Sequence, residues 1–142
     1  MDKEKIDKEE KEINRIKIQL LPVGKQIPSG RIYTKSTLKK SIQRFFTKSK
    51  YLLIVNKINH ERPEQVTLSN VIGRASKKDC IVTDKELFID ITFINPQMAK
   101  DIFLVVSQGR ANFIPIGAGV VDPKTNKVKN YHLFYICLEE KK

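Results

Sequence analysis

The side chain best suited to acid–base chemistry in this sequence is His60, one of its two histidines. It follows a short apolar run at residues 51–55 and comes directly before the charged, turn-like segment 61–64, Glu-Arg-Pro-Glu. A histidine placed where a buried strand gives way to a loop can be oriented by the scaffold and still reach a substrate. We therefore take His60 as the candidate general base. His132 falls within the last strand pattern and is predicted to be an ordinary sheet residue.

Two serines and two cysteines are the candidate nucleophilic partners of His60, and each has an argument against it. Ser69 could approach His60, but a serine close to a histidine in a loop is more often a turn residue. Ser107 falls at the end of a predicted helix, where the helix dipole opposes formation of an alkoxide. Cys80 and Cys137 have apolar neighbours, which indicates small core residues rather than reactive thiolates. The cysteines form no metal-ligand pattern, so we predict no metal site and no cofactor.

Positive charge is concentrated in one part of the chain. The net charge of the 142 residues is +11, and residues 13–60 contain eleven Lys or Arg but no Asp or Glu. This excess predicts an anionic partner, either nucleic acid or an acidic protein surface, with a merely solvated basic surface as the alternative. No apolar stretch approaches the ~20 residues of a membrane span, and the charged N-terminus is unlike a signal peptide. We therefore expect an intracellular protein with no membrane partner.

Two amphipathic patterns with clear start signals predict helices. The first helix begins after Thr34, a plausible N-cap, and the second begins after Asn95, a capping residue that is followed by proline. The second should end near Gly109, because glycine suits the left-handed conformation that follows many helices. The residues expected on the core-facing sides are Leu38, Ile42, Phe45 and Phe46 in the first helix, and Met98, Ile102 and Val105 or Val106 in the second.

Alternating or short continuous apolar runs predict six or seven strands. The run at 51–55 is continuous, which favours a strand buried on both faces. The run at 113–121 contains one proline and two glycines, which argues for an edge strand, a bulge or the close approach of another backbone. In the last strand, 128–138, strict alternation places Tyr131, Leu133, Tyr135 and Cys137 on one side and His132, Phe134 and Ile136 on the other.

The predicted organisation is one domain preceded by a charged arm. Residues 1–12 are nearly all Lys, Asp and Glu, and we expect them to form either a frayed helix or an arm that orders on a partner, while residues 13–142 form the domain. The pattern shows neither internal repeats nor regular strand–helix alternation. The predicted fold class is α+β, with two helices and a largely antiparallel sheet that is curled or closed into a small barrel.

Three pieces of sequence, in this order, resemble the prohead maturation proteases of tailed bacteriophages. Residues 30–38, G-R-I-Y-T-K-S-T-L, resemble that family's G-R-I-Y-P-K-x-x-L entry to the first helix. His60 followed by residues 68–74, L-S-N-V-I-G-R, resembles its catalytic histidine and downstream V-x-G-x segment. Residues 86–91, E-L-F-I-D-I, resemble its G-L-Y-V-E-x-x-I strand, and residues 96–119 occupy the place of its helix and nucleophile strand. The resemblance covers roughly residues 16–122.

This resemblance implies an α+β barrel shared with herpesvirus assemblins, and serine protease chemistry with a histidine base. The family's nucleophile strand reads approximately G-x-S-I-G or G-x-S-S-R-G. The matching position here is Pro115, or Ala118 in a shifted register, and neither residue has a hydroxyl group. Proline also lacks the backbone N–H that could serve an oxyanion. We therefore predict a prohead-protease-like chain without the family's nucleophile.

The predicted function is that of a non-catalytic virion structural protein. It would be an auxiliary or decoration capsid protein that binds the major capsid protein, with other virion proteins as further candidate partners. We expect it in the capsid, and in the host cytoplasm during assembly. The residues expected to pair with an acidic capsid surface, here called the basic face, are Lys35, Lys39, Lys40, Arg44, Lys48 and Lys50.

Two alternative functions use the same residues differently. The first is an active prohead maturation serine protease, with His60 as base and Ser69 or Ser107 as nucleophile. The second is a basic nucleic-acid-binding protein that associates with packaged DNA through the basic face. DNA binding would weaken steeply as salt rises, whereas capsid binding would saturate at a fixed ratio to the shell subunit.

Overall fold

The computed structural model describes residues 14–56 and 71–140. The predicted arm at residues 1–12, the candidate base His60 and the candidate nucleophile Ser69 lie outside the described residues. The strands are β1 (Arg15–Pro22), β2 (Leu52–Asn56), β3 (Val71–Ala75), β4 (Cys80–Val82), β5 (Glu86–Phe93), β6 (Ala111–Val121) and β7 (Val128–Glu140). The helices are α1 (Lys35–Lys48) and α2 (Pro96–Ser107), and a single 3-10 turn (Lys77–Asp79) precedes β4.

The seven strands form one curled sheet, a half-barrel, in the order β1-β5-β3-β2-β7-β6, with β4 also paired to β5. Only β2 and β7 run parallel, and the other pairs are antiparallel. The α+β class, the largely antiparallel curled sheet and the two helices are thus confirmed. β1 and β6 are the two outer strands of this sheet, and the half-barrel stays open between them.

The period-two pattern of β5 supplies the centre of the core. Leu87, Ile89, Ile91 and Phe93 are all buried, and they alternate with half-buried residues along the strand. Successive side chains of a strand point to opposite faces, so one face of β5 is wholly apolar. This face packs against Ile18 of β1, Leu52 of β2 and Ile136 of β7 in one continuous cluster.

Helix α1 starts where the sequence predicts and is fastened to the sheet at that point. The Thr34 hydroxyl oxygen accepts a hydrogen bond from the Thr37 N–H at 3.2 Å, as an N-cap does. The Thr37 hydroxyl donates in turn to the Val128 carbonyl of β7 at 3.2 Å. Leu38 and Ile42 are buried as predicted. The first turn of α1 therefore sits directly against the start of β7.

Helix α2 has the predicted ends but little burial. The Asn95 side chain accepts from the Met98 N–H at 2.8 Å, and Gly109 has the left-handed φ of 71° expected after a helix. Only Ala99 of the helix is fully buried. Phe103 and Leu104 expose 59% and 56% of their surface, so the outer face of α2 is largely exposed to solvent.

Two strand predictions were wrong. Leu53 of β2 is 38% exposed, so that strand is not buried on both faces. In β7, Ile116 pairs with Tyr135 but the next residue, Gly117, pairs with Leu133, which leaves Phe134 as a bulge. An extra residue reverses the alternation. Ile136 therefore joins Leu133 in the core, although strict alternation placed them on opposite sides.

The prediction for the proline- and glycine-containing strand is confirmed. β6 is an outer strand, its pairing with β7 is irregular at two places, and a Cβ atom on Gly117 would collide with the His132 carbonyl oxygen. Proline at an outer strand leaves the sheet intact because the missing N–H need not bond to a neighbour.

Candidate functional site

A groove of about 810 Å³ lies at the opening of the half-barrel. Its two long walls are the outer strands β1 and β6, and α2 closes one side. Most of the lining is apolar, and it includes Ile18 and Leu20 of β1, Ile102 and Val106 of α2, and Phe113 and Pro115 of β6. A concave, mostly apolar site with a few polar groups is the usual form of a binding cleft.

The groove contains the position at which the resemblance places a nucleophile. Pro115 lies in the middle of β6, pairs with Ile136 of β7 and lines the groove. Ala118, the alternative in a shifted register, is exposed, pairs with His132 and lies outside the described lining of the groove. Neither residue offers an oxygen or thiol for covalent chemistry, and Pro115 offers no N–H.

Ser107 lines the same groove as Pro115, which its distance along the chain did not predict. Both line it because α2 and β6 each contribute to its walls. The Ser107 hydroxyl donates to the Phe103 carbonyl at 2.6 Å, a bond within the last turn of α2. Within the described residues no hydrogen bond links this serine to a histidine. In the part of the chain that the structure describes, its proton is directed at the helix backbone.

His132, the histidine inside the described part of the chain, lies outside the described lining of the groove and contacts Arg44 of α1. One guanidinium nitrogen of Arg44 lies 3.3 Å from its Nδ1 and 3.1 Å from its Nε2. Near-equal distances to both ring nitrogens place that guanidinium nitrogen over the face of the ring, outside its plane. Contact of an arginine with the face of an aromatic ring is common. The prediction that His132 is a sheet residue outside the catalytic chemistry remains consistent with this contact.

The two cysteines are poor nucleophiles for separate reasons. Burial raises the pKa of the Cys80 thiol to about 12, and the nearby Asp79 carboxylate adds to the shift. The thiol donates weakly to the Ser76 carbonyl at 3.5 Å. Cys137 is fully buried in the middle of the sheet. A thiol that stays protonated at neutral pH cannot act as a nucleophile.

We expect neither cysteine to react with an aromatic disulfide reagent at about pH 8 in the folded protein, and both to react after denaturation. The Cys80 pKa of about 12 leaves little thiolate at that pH. Folding favours the neutral form of the Cys80 thiol. The contribution of this thiol to the free energy of unfolding is therefore complete below pH 9.0 and is lost as the pH rises towards 12. Fast labelling of the folded chain that disappears in Cys80→Ser would contradict this assignment.

The basic face divides between two sides of α1. Lys35 forms an ion pair with Asp84 at 2.5 Å, and Lys39 lies beside Lys77 and Cys80. Lys40 and Arg44 point the other way, towards β7, where they meet Lys129. Lys48 and Lys50 are exposed at the end of the helix, and Lys50 lies 5.4 Å from the centre of the Tyr51 ring.

Lys129 is the cation that sequence reasoning missed. It lies about ninety residues after Lys40, and only the pairing of α1 with the start of β7 brings the two together. The Asn at position 130, which adopts a left-handed φ of 52°, was the available local signal of an irregular strand at that point.

Comparison with known proteins identifies the fold. No protein-family model and no curated protein sequence matches the chain. Among solved structures it is similar to the bacteriophage T4 capsid assembly protease gp21, with a TM-score of 0.63 and 12% sequence identity. The likeness covers 88% of this chain and 80% of that chain. This chain has a capsid-protease-like fold. The predicted prohead-protease-like architecture is confirmed, and at this identity the likeness concerns the fold alone.

Two further findings describe what the protease-like fold carries. Neither described helix has the length and apolar character that a membrane span requires. Within residues 14–56 and 71–140, no three His, Cys, Asp or Glu side chains form a group that could hold a metal ion. The groove itself is lined mainly by apolar side chains, and its lining includes Ser107 and Pro115, the candidate nucleophile position.

Proposed function

We propose that this chain is a non-catalytic structural protein of a tailed-bacteriophage virion, an auxiliary or decoration protein that binds the major capsid protein. The observation that carries the proposal is the residue at position 115. The fold is shared with a capsid assembly protease, and Pro115 lines the groove where the sequence resemblance places the nucleophilic serine. A fold that keeps its groove without a nucleophile is suited to binding.

The basic face supports an acidic protein surface as the partner. Lys39, Lys40 and Lys48 are exposed on α1, and residues 14–56 contain no carboxylate side chain that could neutralise them locally. A single exposed lysine contributes little to binding, whereas a cluster on one helix raises both the association rate and the specificity. Asp84 neutralises Lys35, so we assign Lys35 a smaller share than the sequence predicted.

Binding to assembled shells tests this proposal. The full chain should co-sediment with shells of the major capsid protein and saturate at a fixed ratio to the shell subunit. The double variant Lys39→Glu/Lys48→Glu should weaken binding by roughly tenfold or more, since several exposed charge contacts are lost or reversed.

The matched control changes the same charge elsewhere on the molecule. Lys25 and Lys100 are exposed and lie outside α1, so Lys25→Glu/Lys100→Glu should bind nearly as the parent chain does. Equal weakening by both double variants, or binding that never saturates, would reject the basic face as a specific capsid contact.

An active maturation protease is the second candidate function, and Ser107 favours it by lining the same groove as Pro115. His60 would be the base in such an enzyme. The bond from the Ser107 hydroxyl to the Phe103 carbonyl opposes this function, because the hydroxyl is already committed to the backbone of α2. Labelling and cleavage, described in the Discussion, decide between the two functions.

A further inference from the structure

A second, smaller pocket of about 240 Å³ lies between the start of α1 and the start of β7. Unlike the groove, it is lined by polar and cationic residues. Three cations converge on it from two elements: Lys40 and Arg44 from α1, and Lys129 from β7. Ser36 and Asn130 add a hydroxyl and an amide to its rim.

One wall of the pocket is an irregular part of strand β7, and the other wall is helix α1. β7 holds one residue more than β6 between the pairs Ala118↔His132 and Val120↔Lys129, and Asn130 takes a φ of 52° there. A bulge of this type bends a strand and re-aims its side chains. The bond from the Thr37 hydroxyl to the Val128 carbonyl fixes α1 against this bend.

The charges around the pocket sum to two positive charges. Lys40, Arg44 and Lys129 contribute three. The Asp122 carboxylate lies 3.6 Å from the Lys129 ammonium and removes one. The Lys124 backbone N–H donates a hydrogen bond to the Asp122 carboxylate at 2.9 Å, and this bond is the main cause that lowers the pKa of Asp122. Asp122 is therefore ionised near neutral pH. A phosphate monoester carries about −1.5 to −2 at pH 7 and balances this pocket, whereas a carboxylate does not.

Arg44 is held ready for such a ligand. The contact of one guanidinium nitrogen with the His132 ring restrains this side chain and leaves its other N–H groups to donate. An arginine that is already oriented loses less conformational freedom on binding an oxyanion, and its fork of donors matches phosphate geometry.

We propose that the pocket lined by Lys40, Arg44 and Lys129 is a binding site for a dianionic phosphate group. It takes a single phosphate monoester, with Arg44 and Lys40 contacting the oxygens from the helix side and Lys129 from the strand side. This site shares Lys40 and Arg44 with the basic face, whereas Lys39 and Lys48 of that face do not line it.

Titration of the full chain with inorganic phosphate, followed by calorimetry at low salt, tests the site. The parent chain should bind one phosphate, and Lys40→Gln/Arg44→Gln should bind at least about tenfold more weakly, because two charge-assisted contacts are removed. The matched control is Lys39→Gln/Lys48→Gln, which removes the same charge from the same helix outside the pocket and should bind phosphate nearly as the parent does. Thermal unfolding of each variant confirms that it is folded.

The result that overturns the site is the absence of saturable phosphate binding by the parent chain, or equal weakening in the two double variants. Different residues of the basic face test the two proposals. Lys39→Glu/Lys48→Glu tests the shell contact through side chains that do not line this pocket, so phosphate binding can fail while shell binding succeeds, and the reverse.

Two further ligands distinguish a protein from a nucleic acid as the source of the phosphate group. A phosphoserine peptide and an oligonucleotide with a 5′-phosphate are each compared with their unphosphorylated forms. Preference for either phosphorylated form, lost in Lys40→Gln/Arg44→Gln, supports the site and names its source. DNA binding that ignores the terminal phosphate and falls steeply with salt indicates a general polyanion surface and overturns the site.

Discussion

Gly117→Ala is expected to destabilise the protein by about 3 kcal/mol, a large share of the stability of a domain of this size. A Cβ atom at this position would collide with the His132 carbonyl oxygen and come within 2.8 Å of the Tyr131 ring atom Cζ and hydroxyl oxygen. The carbonyl belongs to the paired strand β7 and cannot move without breaking the β6–β7 ladder. The glycine is therefore required by close backbone approach, and its φ is not the reason.

Urea unfolding of the parent chain and two variants measures this effect. Gly119→Ala is the comparison, because the nearest atom to its Cβ, at 2.8 Å, is the Val128 side-chain atom Cγ1, which can shift more easily than a backbone carbonyl. Gly119→Ala should therefore cost clearly less. If Gly117→Ala cost under about 1 kcal/mol, the close packing of β6 on β7 at the bulge would be wrong.

Phe93→Ala should cost roughly 3–5 kcal/mol, the usual loss when a buried aromatic side chain is removed from a core. Phe93 is 2% exposed at the end of β5, and its ring centre lies 6.4 Å from that of Phe113 on β6. It therefore joins the centre of the sheet to the outer strand beside the groove. Loss of the ring leaves a cavity that the surrounding strands cannot fill by collapse.

Phe134→Ala is the matched control for Phe93→Ala. It makes the same chemical change at a bulge on β7, where the side chain is 54% exposed. We expect this variant to lose less than about 1 kcal/mol, because little of its surface leaves water on folding. Equal losses in the two variants would show that the core is not centred on β5.

Sequence patterns correctly predicted the structural features that depend on interactions between neighbouring residues. The caps at Thr34 and Asn95, the glycine after α2 and the alternation of β5 are each determined by neighbouring residues, and each is present in the structure. The outer position of β6 was also predicted, because proline and glycine restrict where a strand can lie.

Features that depend on distant parts of the chain could not be read from the sequence. The bulge at Phe134 changes which β7 side chains face the core, and one residue of register reverses them all. The parallel pairing of β2 with β7 joins segments some eighty residues apart. The groove and the small cationic pocket depend on such contacts. The sequence therefore predicted Pro115 and Lys40 individually, but it did not predict that Ser107 lines the groove with Pro115 or that Lys129 lines the pocket with Lys40.

One experiment tests most directly whether this chain lacks a catalytic serine. The full chain is incubated with purified capsid and scaffold proteins and, separately, with a serine-reactive fluorophosphonate probe. His60→Ala, Ser107→Ala and Ser69→Ala are treated in parallel. We predict no cleavage and no labelling by the parent chain, together with stable association with assembled shells. Cleavage that His60→Ala abolishes, with a labelled serine that is lost in Ser107→Ala or Ser69→Ala, would show instead that the chain is a maturation protease.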